Sequence, residues 1–136
     1  MRSVGFPYVR HRGYFVPIIP FQIHFPKAWG TLFAYVDTGA SFTIIRSSDA
    51  QVFGYDFTKG KKMMVTVGDG GLIPVYLTRL PVRIGHFEFL ATIGFSLKLG
   101  VTFNLLGRAS VFDRFDVTFS DRRRKLIFTP AARNRS

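Results

Sequence analysis

Asp37-Thr38-Gly39-Ala40-Ser41 is the stretch whose residue types could do acid–base chemistry. A carboxylate can take a proton from water, and Thr38 and Ser41 offer hydroxyls beside it. Gly39 lets the backbone turn tightly and present its N–H groups. Apolar runs lie on both sides, Leu32-Phe33-Ala34-Tyr35-Val36 before and Phe42-Thr43-Ile44-Ile45 after. Carboxylates are scarce, at 8 Asp and Glu against 19 Lys and Arg, and one of them is delivered here between apolar strands. Burying a carboxylate is costly unless it is paired or hydrogen-bonded, so Asp37 requires a compensating arrangement. The plainer reading is a strand that ends in a turn, with Asp37 as the turn former.

Two other segments could position that loop. Met63-Met64-Val65-Thr66-Val67 reads as a strand, and Leu72-Ile73-Pro74-Val75-Tyr76-Leu77 reads as its return. Between them Gly68-Asp69-Gly70-Gly71 is a hairpin signal, because Asp-Gly supports positive φ. The other segment is Phe103-Asn104-Leu105-Leu106-Gly107-Arg108, followed by helical spacing over residues 109–115, where Val111, Phe112 and Phe115 can share a face. Elsewhere the spacing predicts a Pro-bearing edge strand over residues 14–25 and a strand over 31–36. A short helical turn begins at Ser47 or Ser48 and ends at Gly54. A hairpin turns at Gly85-His86, and a last one crosses Asp121-Arg122-Arg123-Arg124.

Composition narrows the class. A chain of 136 residues is one domain with room for a real core. Hydrophobic residues make up 47%, with 16 Phe, which argues against disorder. The 13 Gly and 7 Pro are spread along the chain, as many short strands joined by turns require. With no cysteine there is no disulfide, thiolate metal site or thiol nucleophile. His11, His24 and His86 are scattered and no carboxylate cluster accompanies them, so neither a metal nor any other cofactor is expected. The net charge of +11 attracts polyanions at long range. The cations cluster at the ends and in turns, and no specific nucleic-acid partner is expected. The apolar stretch 14–25 is broken by Pro17 and Pro20, interrupted by Gln22 and His24, and too short and polar to span a membrane. A cytoplasmic location is therefore the expectation.

An apolar strand, Asp37-Thr38-Gly39-Ala40-Ser41, then Phe42-Thr43-Ile44-Ile45 resembles the active-site loop of the retropepsin-like aspartic proteases, particularly the stand-alone bacterial type. The hairpin tipped by Gly68, Asp69, Gly70 and Gly71 falls where that family has its flap. Leu105-Leu106-Gly107-Arg108 before a helix resembles the family's core motif, in which the glycine lets a strand pass close behind the catalytic loop. The three motifs occur in the family's order across residues 30–115. Two departures stand out. Retroviral enzymes often carry a second Asp at the place of Ser41, paired with the arginine that Arg108 matches; Asp113 or Asp116 could substitute. The chain also continues past the helix into a complete hairpin.

The resemblance implies an all-β, single-lobe closed barrel or sandwich with one short C-terminal helix. It would occupy residues 14–129, between a basic N-terminal arm over 1–13 and a flexible basic tail over 130–136. It implies an aspartic endopeptidase that binds an extended peptide or protein substrate. One Asp-Thr-Gly per chain requires a homodimer, with Asp37 from each copy at the twofold axis. Asp37 would be catalytic, Thr38 would brace the two loops, Gly39 would bond the substrate backbone, and Gly70 and Gly71 would close over it. The alternatives are a catalytically silent peptide-binding or dimerisation module on the same fold, and a basic β-barrel that binds nucleic acid.

Overall fold

The computed structural model describes residues 2–66, 70–97 and 103–131. Its strands are β1 (Val4–Pro7), β2 (Val9–His11), β3 (Tyr14–Val16), β4 (Ile18–Phe25), β5 (Ala28–Val36), β6 (Thr43–Arg46), β7 (Lys61–Thr66), β8 (Leu72–Ile84), β9 (Phe87–Ser96), β10 (Asn104–Leu106), β11 (Phe115–Ser120) and β12 (Lys125–Pro130). One short helix, α1, spans Ser47–Val52, and Gly54 follows it at φ +64.

The principal sheet runs β4-β5-β10-β6-β9-β8-β7. A second pairing of β4 with β8, at Gln22↔Arg83 and Ile23↔Val82, joins all of these strands except β7 into a closed ring. Closure follows from the side-chain pattern. In β4 alternate residues point inward, so Ile19, Phe21, Ile23 and Phe25 are fully buried, and Ile93 and Phe95 of β9 meet them. Each buried aromatic or branched side chain contributes roughly 1.5–3 kcal/mol. A smaller sheet, β1-β12-β11, covers one side and adds Leu126 and Phe128 to the same core. The closed all-β barrel expected from the sequence is the observed fold.

Some local expectations change. Pro17 separates β3 from β4, and β4 is paired on both sides instead of lying at an edge. Pro20 is tolerated because it lies opposite Phe33 of β5 and outside the short β8 register. The segment read as an N-terminal arm holds two strands. Val4 to Pro7 pair antiparallel with Phe128 to Lys125, and Val9 to His11 pair with Val16 to Tyr14. The helical spacing after Gly107 yields a single distorted turn, Arg108–Phe112. Ala109 is extended there at ψ 130 and Ser110 sits at φ +72, so a regular helix does not form. The Ser110 hydroxyl instead accepts from the Thr92 N–H at 2.9 Å, and Phe115 begins β11. At the other end, Pro130 closes β12 opposite Phe115; residues 132–136 of the expected tail lie outside the described residues.

The hairpin expected at residues 63–77 is present as β7 and β8, in register from Lys61↔Leu77 to Thr66↔Leu72. Gly70 lies at φ +84, a conformation that favours glycine. Gly68 and Asp69 lie outside the described residues. Met63, Met64 and Leu72 are exposed on this hairpin.

Asn104 was not singled out by the sequence analysis, although a polar residue inside Phe103-Asn104-Leu105-Leu106 must be satisfied if the strand is buried. It is 3% exposed. Its amide donates to the Phe33 carbonyl at 3.0 Å and to Asp49 Oδ2 at 2.6 Å, and its oxygen accepts from the Arg46 N–H at 2.8 Å. It thereby ties β5, α1 and the end of β6 to β10. Asn104→Leu is expected to destabilise the fold by about 2–4 kcal/mol, because three part-buried hydrogen bonds to the buried Asn104 are lost at once. Urea denaturation of the two proteins measures this directly.

Candidate functional site

β5 delivers Asp37, and β10 holds it in place. β10 lies between β5 and β6, parallel to the first through Asn104↔Ala34, Leu105↔Tyr35 and Leu106↔Val36, and antiparallel to the second at Leu105↔Ile44. The loop from Asp37 to Phe42 therefore bridges over the end of β10. Its backbone is bonded all along that crossing. The Asp37 N–H donates to the Leu106 carbonyl at 2.9 Å, the Arg108 N–H to the Ala40 carbonyl at 2.9 Å, and the Ala109 N–H to the Ser41 carbonyl at 2.9 Å. The Gly107 N–H donates to the buried Thr43 hydroxyl at 3.1 Å. Thr43 is a second residue the sequence analysis did not single out; a hydroxyl two residues past the loop, inside an apolar run, was its signal.

Gly107 is dictated by this crossing. A Cβ there would lie 2.1 Å from the Phe42 carbonyl oxygen and 2.8 Å from that of Ala40. Both are backbone atoms, so no side-chain rotation relieves the clash. The close approach that the resemblance implied for this glycine is what the structure has.

The Asp37 carboxylate is partly exposed in the single chain. The Gly39 N–H donates to its Oδ1 at 2.8 Å, holding the carboxylate over the turn. The hydroxyls of Thr38 and Ser41, expected to compensate it, form no bond to it among the described residues. Thr38 is exposed, with no side-chain hydrogen bond among the described residues; Ala40 is fully buried. Arg108 is exposed, and neither Asp113 nor Asp116 forms an ion pair with it. The structure thus brings Asp37, Thr38, Gly39, Ala40 and Ser41 against Leu105, Leu106, Gly107 and Arg108.

A groove of about 510 Å³ adjoins Asp37 and Thr38 and is walled by Tyr8, Phe15, Tyr35, Phe119 and Asp121 among others. The Tyr8 hydroxyl donates to Asp121 Oδ1 at 2.9 Å. Burial, then this hydrogen bond, then the Asp121 charge push the phenol up from 10.0 to about 12. The folded chain therefore holds this proton more tightly than the unfolded one. The associated stabilisation is complete below pH 10 and is lost as the pH rises toward about 12. Tyr8→Phe is expected to cost about 1–2 kcal/mol near neutrality. The gap between variant and wild type should narrow across the alkaline window in urea melts.

Among the described residues no helix is long and apolar enough to cross a membrane. No protein-family model matches the chain, and no curated protein matches it by sequence. Solved structures do match. A retropepsin-like aspartic protease from Rickettsia conorii superposes with a TM-score of 0.64 at 26% identity, over 93% of this chain and 91% of that one. EIAV protease in complex with the inhibitor HBY-793 superposes with a TM-score of 0.54 at 19% identity, over 77% of this chain and 93% of that one. With the closed barrel and the loop crossed by β10, these matches make the fold of the chain retropepsin-like.

Proposed function

We propose that the chain is an aspartic endopeptidase whose catalytic unit is a homodimer. The observation that carries this reading is the position of Asp37, an aspartate on a loop locked by backbone bonds to Leu106, Arg108 and Ala109 within a retropepsin-like barrel. Rigid placement is what acid–base chemistry on a bound water requires.

One carboxylate is half of the machinery. Two adjacent carboxylates cannot both ionise cheaply, so they share a proton. In the proposed dimer Asp37 meets Asp37 of the partner subunit across a twofold axis. The ionised member takes a proton from water as the oxygen attacks the peptide carbonyl. The protonated member donates to the carbonyl oxygen, and a proton passes to the amine as the C–N bond breaks. The exposed Thr38 hydroxyl is free to bond across the axis. The β7–β8 hairpin, with Met63, Met64 and Leu72 exposed, would cover an extended substrate and favour apolar residues beside the scissile bond.

Dimerisation supplies the test. Specific activity on a denatured, apolar-rich protein should rise with enzyme concentration and level off where sedimentation shows the dimer complete. Cleavage by the monomer at constant specific activity would overturn the shared-dyad reading.

A further inference from the structure

Two arginine-bearing turns, more than a hundred positions apart in sequence, meet at one end of the molecule. The β2–β3 hairpin carries Arg10 and Arg12; the turn from β11 to β12 carries Arg122, Arg123 and Arg124. The Tyr8 N–H donates to the Arg124 carbonyl at 2.7 Å. The guanidinium carbons of Arg124 and Arg10 lie 4.0 and 5.9 Å from the centroid of the same Phe15 ring. All five arginines are exposed. Asp121, the carboxylate in their midst, is engaged by the Tyr8 hydroxyl. Tyr14, at the hairpin tip, is 75% exposed.

Like charges held together are destabilising, and none of these arginines forms an ion pair among the described residues. An anionic partner would relieve that. We infer that this end of the protein docks on an anionic lipid bilayer, with the guanidinium groups at the phosphate level and Tyr14 at the interface. The shape of the charge favours a planar surface over a nucleic acid. The neighbouring groove, where a phosphodiester strand would have to lie, is lined by the carboxylates of Asp37 and Asp121. The Phe15 ring, the aromatic nearest the arginines, is already engaged by the Arg124 and Arg10 guanidinium groups, with which a base would have to compete. The projecting tips carry the cations and the exposed tyrosine, an arrangement that suits headgroups and their boundary with acyl chains.

The inference does not rest on catalysis. Full-length protein is sedimented with vesicles of phosphatidylcholine alone and of phosphatidylcholine with phosphatidylserine. Binding to the second and not the first, weakened by salt, is expected. Arg122→Gln with Arg123→Gln should lower the partition coefficient about thirty-fold, and lysine at both positions should largely restore it. Both side chains are exposed, and thermal melting of each variant verifies that the fold is kept. Asp37→Asn should bind vesicles like the wild type, so a failed protease reading and a failed docking reading are told apart. Equal binding to both vesicle types, or none to either, would overturn the inference. So would single-stranded DNA binding through the same arginines without vesicle binding.

Discussion

Asp37→Asn should lower peptide hydrolysis by about 10³-fold or more while leaving the fold and its association unchanged. Asparagine fills the same volume, and its amide oxygen can still accept the Gly39 N–H that the carboxylate accepts at 2.8 Å. The loop's other bonds are all made by backbone atoms, to Leu106, Arg108 and Ala109, and are untouched. What the variant lacks is a group that can gain and lose a proton. In the proposed homodimer both copies lose it together, so no half-active dyad survives. The measurement is initial rate on a denatured protein substrate, with sedimentation of the same samples. Retained cleavage would assign the chemistry to another residue. Lost cleavage with lost association would make the change structural.

Gly107→Ala should have the largest effect on stability, about 3 kcal/mol or more. The added carbon would sit 2.1 Å from the Phe42 oxygen and 2.4 Å from its carbonyl carbon. Those atoms belong to the bridge over β10, so relief requires the loop to lift. Lifting it breaks the Arg108 and Ala109 bonds to the Ala40 and Ser41 carbonyls and the Gly107 bond to Thr43. The carboxylate of Asp37 moves with them. Activity should therefore fall even under conditions where the variant remains folded, a signature that simple core overpacking elsewhere would not give. Urea denaturation with activity measured on the folded fraction separates the two effects.

The parts of this molecule legible in the sequence are those governed by short-range rules. Alternation placed the strands, and Asp37-Thr38-Gly39 marked the loop. Gly107, directly after the apolar pair Leu105-Leu106, marked the close approach to the loop through the family resemblance. Period alone misled at residues 109–115. Val111 and Phe115 are indeed both buried, but a strained turn at Ser110 puts them there in place of a helix. The role of residues 4–11 was hidden because its basis is long-range. Val4 and Phe6 pack on the core only after β1 has found β12. Asn104 and Thr43 were hidden for a related reason. Each polar group is satisfied by a partner far along the chain, and a single sequence does not display such pairs.

The insertion of β10 between β5 and β6 has a consequence for assembly. Gly107 and Thr43, which bond across the crossing, are 64 residues apart. During synthesis the Asp37 segment leaves the ribosome long before the strand that shapes it. Until residues 104–109 arrive, that loop has no floor to bond to, and the aspartate belongs to an unstructured turn. Non-local pairing of this kind is slow to form. A nascent or truncated chain is thus unable to present the completed loop, and whatever chemistry Asp37 performs is withheld until residues 104–109 have joined the barrel.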